Sequence, residues 1–157
     1  MTNTEYRVKG LYFEDLQVGD TMVTPGRTIT ETDLVNFCGL SGDYNELHSN
    51  EEYARQRRFG RRIAHGLLGL AVASGLAARL GFMEGTAEAF MGLEWKFKAP
   101  ILIGDTVQLR AKVVAKREVK RLSAGLVFIQ AELRNQKDEV TQEGQWTLLL
   151  KSRATTP

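Results

Sequence analysis

Apolar residues change their spacing along this chain in a way that separates helical from extended segments. Leu34, Phe37 and Cys38 recur at i, i+3 and i+4, the period of one helix face. Thr30 and Asp33 precede them at the S/T-x-x-D/E spacing, in which the cap and third-position side chains satisfy each other's amides. This predicts a short amphipathic helix ending near Gly39. Ser49 and Glu52 repeat the capping spacing and predict a second short helix through Tyr53 and Ala54, fading into RQRRFGRR. The intervening stretch GLSGDYNELHSN then reads as a loop carrying Asp43, with His48 just before the second helix.

From Gly66 to about Leu80 the chain is apolar all round and rich in Gly, Ala and Ser. A helix of that kind is expected to be buried, its small residues letting other backbone come close. Its uncharged part runs only from Gly66 to Ala78, short of the ~20 residues that span a bilayer. Beyond it the period changes to two. Trp95 and Phe97 alternate with Glu94, Lys96 and Lys98; Val107, Leu109, Ala111 and Val113 with Gln108, Arg110 and Lys112; Val127, Ile129, Ala131 and Leu133 with polar or outward neighbours. A last strand is expected from about Val140 to Lys151, and an N-terminal one near Thr21 to Thr30. Pro100, Gly104-Asp105 and NQKDE supply the turns, and GFMEGTAEAF, residues 81–90, reads as a loop. One buried helix and several antiparallel strands with one face to cover predict an α+β fold, the sheet curled around the helix.

Length and charge narrow the functional classes. At 157 residues the chain is expected to form a single domain over 1–157. With 21 Lys+Arg against 19 Asp+Glu, it lacks the field that collects nucleic acid or acidic lipid. MTNTEYRVKGLYFEDL has no basic start and apolar core, so no secretory leader is expected. The lone Cys38 suits a reducing compartment, and a cytoplasmic location is the expectation.

The chemistry narrows further. Two histidines without His-x-x-x-His or Cys-x-x-Cys spacing make a metal site unexpected. The chain has no G-x-S-x-G elbow, no G-x-x-x-x-G-K loop and no G-x-G-x-x-G. What remains is Asp43 and His48, a carboxylate and an imidazole in one turning segment, the usual equipment for moving protons near neutral pH. The plainer alternative is an Asx turn at Asp43 and a helix end covered by His48. In RIAHGLLG the apolar helix starts at Gly66. Its first amides are unpaired donors able to polarise a carbonyl, or else simply a capped end with His65 packed beside it. Arg55, Arg57, Arg58, Arg61 and Arg62 stand between these two pieces and offer guanidinium groups to an anion, or to solvent.

SGDYNELH followed by HGLLGLA resembles the signature of the MaoC-like dehydratases, the group that contains the (R)-specific enoyl-CoA hydratases, and the likeness extends through FKAPILIGDTV from about Phe13 to Leu150. The resemblance implies a hot-dog fold, a homodimer or dimer of dimers, and no cofactor beyond the coenzyme A thioester that enters as substrate. It implies reversible addition of water to a 2-enoyl-CoA, with Asp43 and His48 as the catalytic pair and Gly66 offering its amide to the thioester carbonyl. Asn45, His65 and Arg62 would hold the loop or the substrate. Glu46 departs from the pattern, which commonly has proline there, and implies a freer loop or a different substrate requirement. A thioesterase and a non-catalytic acyl-CoA-binding module are the competing readings of the same fold.

Overall fold

The computed structural model describes residues 10–153, so the start of the N-terminal segment and both ends of the 1–157 span lie outside the described residues. Helix α1, Glu31–Ser41, begins as its spacing requires: Thr30 Oγ1 accepts from the Asp33 amide, and the Asp33 carboxylate accepts from the Thr30 amide at 2.8 Å. It runs past Gly39 to Ser41, because the chain first turns left-handed at Gly42 (φ 75°), whose amide donates to Cys38 O at 2.8 Å.

Two short helices follow, α2 at Glu46–Ser49 and α3 at Glu51–Arg55. This corrects two expectations. His48 lies inside α2, and the cap of α3 is Asn50, whose side chain accepts from the Tyr53 amide at 3.1 Å. Ser49, inside α2, instead turns its hydroxyl back to Tyr44 O and Asn45 O.

Helix α4, Gly66–Ala78, packs Leu68, Val72, Ala73, Leu76 and Ala77 into the core. It is not buried all round as expected: Leu67, Ala71, Ser74, Gly75 and Ala78 form an exposed stripe along its other side.

Among the described residues the sheet has six strands: β1 Thr21–Val23, β2 Arg27–Thr28, β3 Ala87–Phe97, β4 Thr106–Val119, β5 Ala124–Arg134 and β6 Val140–Lys151. Its main path runs β1-β4-β5-β6-β3, every pairing antiparallel, and β2 also pairs with β4. The single N-terminal strand expected is thus two short ones with a break between them. The apolar phase of β4, β5 and β6 faces α4, with Val107, Leu109, Val127, Ile129, Leu133, Leu148 and Leu150 all but fully buried. Burial of side chains of this size contributes about 1.5–3 kcal/mol each. Strand β3 is longer than expected, taking in Ala87 to Phe90 from the presumed loop, and its free edge leaves Phe90, Met91, Leu93 and Phe97 exposed.

Candidate active site

The segment 41–65 lies over the start of α4 and is held there by specific polar contacts. Ser41 Oγ bridges from Phe37 O to the Asp43 amide, and Asp43 Oδ1 accepts from the Asn45 amide at 3.1 Å, an Asx turn. Asn45 Oδ1 in turn caps α2 by accepting from the Leu47 amide at 3.0 Å. Glu46 is the first residue of α2 and its carboxylate accepts from the Asn50 side chain. That position suits proline and acidic residues alike, since its amide needs no intrahelical partner and lies at the positive end of the helix. Glu46 therefore does not leave the loop open.

His48 is half-buried, and its Nδ1 stands 2.8 Å from Ile63 O. A carbonyl oxygen only accepts, so Nδ1 carries the proton and Nε2 of the neutral ring keeps its lone pair. By the same logic His65 Nε2 donates to the Asp43 carbonyl at 3.0 Å. His65 is buried, 2% exposed, stacked on His48 with ring centroids 3.8 Å apart and tilted against Phe37. Burial pushes its pKa below 6.5, and the neighbouring His48 acts in the same direction. His65 is thus a neutral prop beneath Asp43 and His48, with no hydrogen-bond partner for its Nδ1 among the described residues.

Asp43, His48 and His65 bring one donor atom each to within 4.8 Å of one another. Two acceptors that share the hydrogens of one water stand ~4.5 Å apart, and Asp43 and His48 approach closely enough to share one.

Gly66 opens α4 with no side chain capping that end, and the first intrahelical bond runs from the Gly69 amide to His65 O. The Gly66 amide therefore stands among the unpaired donors at the positive end of the helix. A Cβ on Gly66 would meet the Phe97 ring at 2.8 Å, so only glycine fits here without moving that ring. The helix start is fixed by a residue that sequence reasoning passed over. Gln142, 2% exposed, donates to Gly66 O at 3.0 Å and accepts from the Trp95 indole at 2.9 Å. The signal for it was a polar residue in the inward phase of β6, in step with Trp146, Leu148 and Leu150.

His48 and Gly66 both line a cavity of about 290 Å³, together with Arg58, Phe59, Ile63, Phe97, Lys98 and Ile101 among others. Asp43 is not part of this lining. A larger apolar groove of about 450 Å³ between α1 and α4 is lined by residues such as Phe37, Leu68 and Ala71 and by none of the reactive groups. Arg62 is drawn away from both. Its guanidinium donates twice to Glu31, at 2.7 Å each, and once to Glu51 at 2.9 Å, raising its own pKa and lowering those of both carboxyls. It joins α1, α3 and the approach to α4 where contact with substrate was expected.

The family model described as MaoC like domain matches residues 15–133. The chain belongs to the MaoC-like dehydratase family. Over 100 residues it is 41% identical to Protein MaoC of Klebsiella aerogenes, covering 63% of this chain but 29% of that protein. It is 37% identical to the 3-hydroxybutyryl-CoA dehydratase of Methylorubrum extorquens, over 72% of each chain. It is 43% identical to the (R)-specific enoyl-CoA hydratase of Rhodospirillum rubrum, over 61% of this chain and 65% of that one. Among solved structures, an (R)-hydratase from Pseudomonas aeruginosa superposes with TM-score 0.78 at 26% identity, covering 94% of each chain. A Mycobacterium tuberculosis protein with a double hotdog fold gives TM-score 0.81 at 19% identity, over 97% of this chain and 47% of that one, a likeness of fold alone. The MaoC-like chain accordingly has the hot-dog fold that its sheet and central helix describe. Among the described residues, no helix is long and apolar enough to cross a membrane.

Proposed function

We propose that this MaoC-like chain adds water reversibly across the double bond of a 2-enoyl-CoA thioester to give a 3-hydroxyacyl-CoA. The observation that carries this reading is the approach of Asp43 and His48 to within 4.8 Å beside the uncapped start of α4. The Gly66 amide polarises the thioester carbonyl and holds the charge that builds on its oxygen as the alkene is attacked. That polarisation makes the β-carbon electrophilic. The Asp43 carboxylate and His48 Nε2 each accept one hydrogen of a water, leaving an oxygen lone pair free to attack. Asp43 takes one proton as the C–O bond forms and delivers it to the α-carbon, while His48 orients the water and holds its second hydrogen, which stays on the new hydroxyl. The reverse sequence dehydrates the 3-hydroxyacyl thioester.

The carrier arrives with the substrate, so the reaction needs no redox cofactor and no metal. A cytoplasmic location fits the buried, unpaired Cys38. Pairing of two copies along β3 would cover the apolar side chains on its free edge and join the sheets, which supports a homodimer.

Incubation of the protein with a panel of 2-enoyl-CoAs tests the reaction. Loss of the conjugated-thioester absorbance without release of free thiol is the expected result. Thiol release with the alkene intact would instead assign a thioesterase, and saturable binding with neither change would assign a binding module.

A further inference from the structure

We propose that Arg58 and Lys98 form an anion subsite in the wall of the reactive cavity, taking an anionic group that the substrate carries near its thioester. The inference rests on the thioester reading above and names a second point of recognition for it.

The five arginines between the loop and α4 are not equivalent. Arg62 is committed to Glu31 and Glu51, and Arg55 pairs with Glu52 at 2.8 Å and Glu51 at 3.5 Å. Arg57 lies over the Tyr53 ring at 4.2 Å. Arg58 alone of the five lines the cavity that holds His48 and Gly66, and no carboxylate among the described residues pairs with it. Lys98 lines the same cavity, carried just past the end of β3 with its amide fixed to Thr141 O at 2.9 Å. Its ammonium has one carboxylate, Glu143 at 3.2 Å, which is not part of the lining.

Two cations against one carboxylate leave the wall net positive. The rest of it is mostly apolar, Phe59, Ile63, Phe97, Pro100 and Ile101 among it, and apolar walls strengthen the attraction for an anion. A guanidinium and an ammonium lining one cavity suit the oxygens of a carboxylate. At about 290 Å³ the cavity is at the small end of ligand pockets, which run ~300–1,000 Å³. It takes the thioester and the groups next to it, not a whole nucleotide carrier. The carrier phosphates stand a whole pantetheine arm away from the thioester, so the anion is a carboxylate on the acyl part.

Equilibrium titration of the parent, Arg58→Gln, Lys98→Gln and the double variant tests this. The probes are a saturated acyl-CoA, the same acyl group on uncharged N-acetylcysteamine, and a carboxylated acyl group on N-acetylcysteamine. Each substitution is expected to weaken binding of the carboxylated probe about tenfold, the scale of one charge-assisted contact, with Arg58→Lys retaining part of the affinity. Loss confined to the carboxylated short thioester supports the subsite. Unchanged binding of that probe, loss confined to the CoA probe, or an equal loss with the uncharged one overturns it. Binding is read without turnover, so a parent that fails to hydrate enoyl-CoA defeats the reaction assignment separately.

Discussion

The sheet and the segment that overhangs α4 are held by different forces. Strands β4 to β6 are held by ladder hydrogen bonds and by a continuous apolar face laid against α4. The overhang, residues 41–65, buries few apolar side chains and is placed by single contacts: Asn45 on α2, His48 on Ile63 O, His65 on Asp43 O, Arg62 between two glutamates. Burial tolerates variation because it is spread over many residues, whereas each polar contact has a direction and one partner. The sheet therefore sets the fold and the overhang sets where the reacting groups stand.

Substitutions in the two regions should separate stability from placement. Leu148→Ala removes a fully buried side chain facing α4, and should cost about 2–5 kcal/mol in denaturant unfolding without shifting substrate affinity of the folded fraction. Gln142→Leu joins the two regions. It leaves the Trp95 indole unpaired, worth about 1–3 kcal/mol, and removes the side-chain bond to the Gly66 carbonyl, so it should lower turnover as well as stability by loosening the helix start. Arg62→Leu should destabilise less than Gln142→Leu, with the difference from the parent shrinking as salt is raised, as for any partly exposed ion pair.

The smallest effect is a slope with pH. The folded His65 binds its proton less readily than the unfolded chain, whose imidazole titrates near 6.5. Its contribution to stability is complete above that pH and is lost as pH falls below it, levelling off at the lower folded pKa. Melting curves of the parent and His65→Gln from pH 7.5 down to 5 should converge if this is correct.

Most of the sheet was legible because β4, β5 and β6 bury one face and so must alternate. The start of β3 was not, since an edge strand exposed on both faces has no reason to alternate. Helix α1 announced itself by its capping pair. Helix α2 did not, because its span from Glu46 to Ser49 barely exceeds one turn and shows no period, and Ser49 and Asn50 both fit a cap until Ser49 Oγ is seen donating to Tyr44 O. Asp43 and His48 were visible as rare residue types in a turning segment. Which nitrogen of His48 stays free depends on Ile63 O, and the support of Gly66 on Gln142; neither contact leaves a local trace in the sequence.

The central claim is that Asp43 and His48 act on one water while taking little part in holding the fold. Asp43→Asn is its most direct test, since the substitution keeps an oxygen for the Asn45 amide and leaves the main-chain carbonyl to His65. Turnover of 2-enoyl-CoA, followed by loss of the conjugated absorbance, should fall by about 10²- to 10⁴-fold with the melting temperature of the parent retained. A variant that hydrates the same substrates as fast as the parent, at equal stability, would contradict the account.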